Sequence, residues 1–581
     1  MDLLVRNAEL VDGTGAAPRR ADIGVRDGLI AEIAPAGSLD ASLASEVIDA
    51  AGQLVTPGFI DPHTHYDRQA TWDDRLAPSC DHGVTTVVIG NCGVGFAPVH
   101  PDQHEMLIQL MEGVEDIPGA ALADGITWGW ESFPEYLDAL EAKPRAVEVA
   151  TQVPHGALRS YAIGRSGDVN GAASADDIEQ MARLTREAVA AGAVAFSSNR
   201  ITMHTSTTGE SVPGTFADRN EIMSIMRAAC EAGSPLFQVV PEGLMGEAPD
   251  AFRGEVELYR ELSLETGCTV LFTISQNNVQ PQLWQELLQR VEKANAEGAH
   301  LVPLTINRPG GMLMSWHTFN LFMDRPGFLE LADLSPDDRV AALRDPVRRE
   351  RILAEGVQTP MIGHASMIIM SSLGAIYPSG PADAMFEPHP DTSLARRIES
   401  SGLPPERVIY DALCEVGEAD GGGFLFTYMG NYAEGSLDVV GEMMLRPDTL
   451  IGGGDGGAHV GVICDASYPT FMLQHWVRDR TRGARLPIEQ AVRLLTHDPA
   501  EIYGLRDRGE VVVGKRADLN VIDLDRVNLH LPRLAHDLPT GAPRLLQSAD
   551  GYTATLVAGQ VTCRNGQDTG ARPGGVVRGR R

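Results

Sequence analysis

The stretch Val55-Thr56-Pro57-Gly58-Phe59-Ile60-Asp61-Pro62-His63-Thr64-His65 decides how this chain is read. Its apolar run has the texture of a buried parallel strand, which is covered on both faces and so lacks the polar alternation of a half-exposed sheet. The run ends in His-x-His. Successive side chains of an extended segment point to opposite faces, so His63 and His65 project from one side, a pleat apart. Two imidazoles on one face at a strand end are half of a divalent-metal site. The plainer alternative is a strand end with two hydrogen-bonded histidines.

Seven further strand-like runs extend outward from it: Thr85–Asn91, Ala146–Gln152, Ala193–Ser198, Pro235–Val240, Thr269–Ser275, His300–Ile306 and Thr449–Asp455. Stretches with apolar residues at helical spacing intervene, among them Asp176–Ala191, Asn220–Glu231 and Leu283–Ala296. Strands alternating with helices predict a (β/α)8 TIM-like barrel over 56–499. An open doubly wound sheet is the alternative, but no G-x-G-x-x-G opens a helix. The gap from Asn307 to Asp448, about 140 residues, is far beyond an ordinary loop and predicts a lid-like insertion, 307–448, between strands seven and eight. A shorter excursion, Pro101 to Lys143, carries Trp128, Trp130, Phe133 and Tyr136, which either pack locally or line an entrance. Both ends of the chain are rich in short strands and Gly turns. Residues 1–55 and 500–581 are therefore expected to meet in one small β-sandwich. The tail Arg578-Gly579-Arg580-Arg581 reads as a frayed end.

The formal charge of −32 over 581 residues argues against nucleic acid or an anionic membrane as partner and leaves a small-molecule substrate. No run approaches the roughly 20 apolar residues of a membrane span. The N-terminus lacks the pattern of a secretory leader. Seven cysteines without a C-x-x-C pair read as reduced thiols in the cytoplasm. A homo-oligomer is compatible with all of this.

At the C-terminal end of a barrel, strand ends converge on one face where active sites form. Cys92, in Gly90-Asn91-Cys92-Gly93 after strand two, is a competent metal ligand as a thiolate or, more plainly, a small buried hydrophobe. Asp455, in Gly452-Gly453-Gly454-Asp455-Gly456-Gly457, would sit opposite the histidines, binding a metal and taking a proton from its water; otherwise it is a turn residue. His155, in Pro154-His155-Gly156, faces either the site or the core. His459 reads as a loop anchor or a partner to a ligand, and His82, before strand two, as structural. Arg308, directly after strand seven, is placed to fork onto a substrate carboxylate or to pin the insertion, with Arg200 a second candidate for the carboxylate.

The runs Thr56–His65, Gly90-Asn91-Cys92-Gly93 and Gly454-Asp455-Gly456 resemble the amidohydrolase superfamily, and its N-acyl-D-amino-acid deacylase (D-aminoacylase) branch in particular. Similarity continues through Val153–Arg159, Phe196-Ser197-Ser198, Val212-Pro213-Gly214 and Asp498 to Asp523, nearly the whole chain. The resemblance implies a metal-bearing (β/α)8 barrel beside a β-sandwich of both termini. Deacylases of that branch place histidines at the ends of strands five and six for a second metal. Here those ends read Phe237-Gln238-Val239-Val240 and Thr273-Ile274-Ser275-Gln276-Asn277-Asn278, without histidine. Gln238 and Gln276 become candidates for bonding substrate or water, and His204 and His364 for reaching in from loops. The three lysines, Lys143, Lys293 and Lys515, lie away from the strand-four end, against a carboxylated bridging lysine. The expectation is one Zn2+ on His63, His65, Cys92 and Asp455. Hydroxide generated there would cleave a linear amide of the N-acyl amino acid type, with Asp455 as general acid and base. Cyclic amides, carbamates or lactones are the alternative substrates, and a scaffold with a decayed metal site is the alternative role.

Overall fold

The quoted run does not stay one strand. Gly58 divides it: Leu54–Pro57 joins a sheet built from the two chain ends, while Phe59–Asp61 opens a second, parallel sheet. The Gly58 N–H donates to the Asp518 carbonyl at 2.8 Å. A Cβ at position 58 would stand 2.2 Å from Thr85 Oγ1, so only glycine lets the chain pass from one sheet to the other. Gly58→Ala is accordingly expected to destabilise the fold by about 1–3 kcal/mol through overpacking, seen as a lower urea midpoint at unchanged slope.

The computed structural model describes residues 1–164, 167–379, 387–416 and 423–579, apart from the side chains of 360, 361 and 364; His364 thus lies outside the described residues. Its parallel sheet runs β1 (Phe59–Asp61), β2 (Val84–Ile89), β3 (Glu148–Pro154), β4 (Ala195–Asn199), β5 (Leu236–Val240), β6 (Thr269–Thr273), β7 (His300–Thr305) and β8 (Leu450–Ile451). Each pairs with its neighbour in chain order. The ring closes just beyond β8, where Thr64 bridges Gly456 and the Asp455 N–H donates to the His63 carbonyl at 3.1 Å. This is a (β/α)8 barrel, with helices such as Ala175–Ala191, Arg219–Ala232 and Leu283–Ala296 outside it. The helix Ala175–Ala191 starts on a reciprocal cap between Ser174 and Asp177, which satisfies backbone donors that the first turn leaves free.

The chain ends share a nine-stranded sheet in which Leu54–Pro57 runs antiparallel to Leu519–Ile522, joining the N-terminal and C-terminal strands. Leu10, Ile23, Val55, Val521 and Leu556 fill a core separate from that of the barrel. Between β7 and β8 the chain forms a three-stranded antiparallel sheet of Gly310–Met314, Ile376–Pro378 and Leu425–Gly430, with helices packed around Trp316, Phe322 and Tyr410. Of the tail expected to fray, Arg578 and Gly579 are held by the Ala191 and Gly192 carbonyls, and Arg580 and Arg581 lie outside the described residues. Val576–Val577 pairs in parallel with Val149–Ala150 of β3, the half of that strand that β4 does not reach. The Gly579 N–H donates to the Gly192 carbonyl. Among the described residues, no helix is long and apolar enough to cross a membrane.

Candidate metal centre and cavity

The ends of β1, β2 and β8 bring four side chains to one point. Cys92 Sγ lies 3.3 Å from His63 Nε2 and 3.7 Å from His65 Nε2. Asp455 Oδ1 lies 3.3 Å and 3.8 Å from the same two nitrogens. A tetrahedral ion bonded at about 2.0–2.3 Å spaces its ligand atoms roughly 3.3–3.8 Å apart, and Cys92 and Asp455 each stand at that spacing from both imidazoles. His63, His65 and Cys92 offer ligand atoms all within 4.8 Å of one another, a set that does not include Asp455. Two imidazole nitrogens, a sulfur and a carboxylate oxygen also suit zinc chemically. These residues fit a divalent ion.

The local backbone holds them at a cost. Cys92 and Asp455 adopt φ of 54° and 44°, a left-handed conformation that costs a non-glycine residue about 1–3 kcal/mol and is concentrated at functional sites. The Gly-rich loop after β8 can carry Asp455 there because it packs against the end of β1: a Cβ on Gly454 would meet Asp61 Oδ2 at 2.2 Å.

Burial sets the charge of the cluster. Removal from water lowers the His63 imidazole to about 4 and His65 well below its ordinary range, so both are neutral with lone pairs free for a cation at pH 7. Burial, with Glu115 nearby, pushes the Cys92 thiol and the Asp455 carboxyl well above theirs. A divalent cation reverses that preference for thiol and carboxyl alike.

Sequence reading missed Glu115. It ends the helix His104–Glu115, and burial raises its carboxyl to about 8. Its Oε1 is 3.2 Å from His65 Nδ1 without hydrogen-bond alignment, and its Oε2 is 3.7 Å from His459 Nε2. The available signal was periodicity: Glu115 falls four residues after Met111 and eight after Leu107 on the buried stripe of this helix. A carboxylate behind a ligating imidazole orients the ring and raises its basicity. Glu115→Gln is expected to weaken metal retention by about 10–100-fold, measured as residual zinc after dialysis against graded chelator.

A cavity of about 390 Å³ opens over the cluster, lined also by Glu115, His204, His459 and Asp465. Burial lowers the His204 and His459 imidazoles to about 3 and about 4. Other expected site residues bond neighbours elsewhere and do not line this cavity, with only the buried Gln238 Nε2 among their amide groups left without a partner. His155 is buried between Ser198 and Glu221, 2.9 Å from each. Gln238 Oε1 accepts the Cys92 N–H at 3.2 Å and so holds the Cys92 loop. Gln276 Oε1 accepts the Ala433 N–H, tying β6 to the insertion. Arg200 forks onto Glu255. Arg308 donates to Ser467 Oγ at 2.7 Å and pairs with Asp465 at 3.4 Å. Each polar group satisfies a buried partner that an alignment of strand ends does not reveal. His82, read as structural, bonds Thr470 and the Gln547 carbonyl between the two sheets.

A family model described as "Amidohydrolase family" matches residues 46–563. The chain belongs to the amidohydrolase family. It is thereby a hydrolase of carbon–nitrogen bonds outside peptides. Among relatives of this amidohydrolase, the N-acyl-D-glutamate deacylase of Alcaligenes xylosoxydans xylosoxydans is 27% identical over 547 residues, 93% of this chain and 90% of that one. The D-aminoacylase of the same organism is 39% identical over 196 residues, 34% of this chain and 37% of that one. The crystal structure of N-acyl-D-glutamate deacylase from Bordetella bronchiseptica, complexed with zinc and a phosphonate mimic of the tetrahedral intermediate, superposes with a TM-score of 0.64 at 24% identity. The match covers 100% of this chain and 99% of that one, and establishes a shared fold.

Proposed function

We propose that this amidohydrolase deacylates an N-acylated amine of the amino acid type, D-configured substrates included, with one zinc ion per chain held by His63, His65, Cys92 and Asp455. The observation that carries this reading is the cluster of His63, His65 and Cys92 donor atoms, with Asp455 3.3 Å and 3.8 Å from the two imidazoles, on the floor of a cavity large enough for a small amide. Zinc so held supplies Lewis acidity, which polarises the amide carbonyl and makes hydroxide available near neutral pH. Asp455 accepts the proton of the attacking water on its carboxylate and returns it to the departing nitrogen, so that amine and carboxylate leave as separate products. Glu115 steadies His65 from behind, and Gln238 steadies Cys92. The seven free thiols suit a reducing, cytoplasmic setting.

The experiment is a screen of N-acyl-D- and N-acyl-L-amino acids and their amides with zinc, manganese and cobalt, alongside metal analysis. Turnover with close to one zinc per chain supports the proposal. A metal-replete protein that turns over nothing, or one that retains no zinc, defeats it in favour of a scaffold.

A further inference from the structure

The walls of the cavity above the ligand cluster carry a message about charge. Val240, Leu244, Met245, Ile274, Met312 and Met429 make them apolar, the last two brought in by the insertion. The ionisable lining consists of imidazoles, the Cys92 thiol and the carboxyl groups of Glu115, Asp455 and Asp465. Among the described residues, no lysine or arginine lines it. The undescribed stretches of the insertion, 380–386 and 417–422, contain none in sequence. Arg308 touches the lining residue Asp465, but its guanidinium is committed to that carboxylate, to Ser467 Oγ and to the Cys464 carbonyl. The polar groups on offer are neutral. The Ser275 hydroxyl lines the cavity without a hydrogen bond, and the neighbouring Thr273 and Thr305 hydroxyls are likewise unpartnered.

A free carboxylate on the amine side, away from the metal cluster, would lose its hydration against these apolar walls and find no cationic side chain to pair with, which costs free energy. A neutral amide or alkyl group meets apolar surface and unspent hydroxyls. Resting on the deacylase reading above, we propose that the substrates of this pocket are N-acylated amines whose amine side bears no free carboxylate: N-acyl amino acid amides or N-acyl alkylamines. Ser275 is the hydroxyl placed to bond the neutral polar group.

The test compares matched compounds on the zinc-loaded enzyme: N-acetyl-leucine, N-acetyl-leucinamide and N-acetyl-3-methylbutylamine, the first two in both configurations. The neutral members should exceed the acid in kcat/KM by roughly tenfold or more, the scale on which a site rejects a group it cannot pair. Ser275→Ala should raise KM for the carboxamide and leave the alkylamine unchanged. Met312→Lys, which adds a cation to the wall, should close the gap between acid and amide. An acid turned over as well as its amide overturns the proposal. If nothing is turned over, the deacylase reading fails, and calorimetric binding of the same compounds still decides the charge question: tighter binding of the neutral members upholds it, and tighter or equal binding of the acid overturns it.

Discussion

Asp455→Asn is expected to lower kcat by about 10²–10⁴-fold, the usual contribution of a positioned general acid or base. The substitution keeps shape and an oxygen donor but removes the group that accepts a proton. It is a clean change at this position, because the surrounding loop is held by its own contacts: the Asp455 N–H bonds the His63 carbonyl, Ala458 N–H bonds the Asp455 carbonyl, and Gly454 packs on Asp61. About a third of the side chain stays open to the cavity, as a proton carrier requires. Asp455 is also a proposed ligand, so steady-state rates must be paired with zinc content. Loss of turnover at full zinc loading assigns proton transfer to Asp455; a variant within a few-fold of the parent at full loading removes that role.

Stripping the metal with a chelator is expected to abolish turnover, and zinc to restore it. The same ion should stabilise the fold, because an ion that binds only the native state adds RT ln(1 + [L]/Kd), about 2.7 kcal/mol at a hundredfold excess over Kd. Melting temperature should therefore climb with free zinc in the parent. His63→Ala and His65→Ala should flatten that climb, each removing one of the donor nitrogens 3.3–3.8 Å from its partners. Cys92→Ala probes the thiolate in the same titration. A melting temperature indifferent to zinc in the parent would show that the four atoms gather for packing rather than for a cation. The protein without metal should remain folded, since the barrel and the terminal sheet each have an extensive apolar core to which, of the four proposed ligands, only Cys92 belongs.

Much of the fold is legible in the chain. Apolar runs at strand length and amphipathic runs at helix length alternate visibly between residues 56 and 306, because each element must bury one face and does so with a periodicity its backbone imposes. The run Val55–His65 nonetheless reads as one strand where there are two. Apolar content cannot distinguish one buried sheet from another; the approach of Gly58 to Thr85 does that. The start of the tail, Arg578-Gly579, reads as frayed because its partners, Ala191 and Gly192, lie 387 residues earlier in the chain.

The site divides in the same way. His63, His65, Cys92 and Asp455 were visible as chemistry at strand ends, and the barrel's convergence explains why residues so far apart in the chain gather. Glu115 and His204 come from connecting segments whose path over the barrel mouth is set by packing. The polar residues Gln238, Gln276, Arg200 and His155 looked available only because their buried partners lie elsewhere in the chain.

By itself, then, the order of residues determined the barrel and marked the residues proposed here as donors, since periodicity and side-chain chemistry are local properties. Which polar groups remain free to meet a ligand, and how apolar the walls around them are, only the tertiary structure decided. Hydrogen bonding and burial are settled by neighbours in space, and most of those neighbours are remote in the chain.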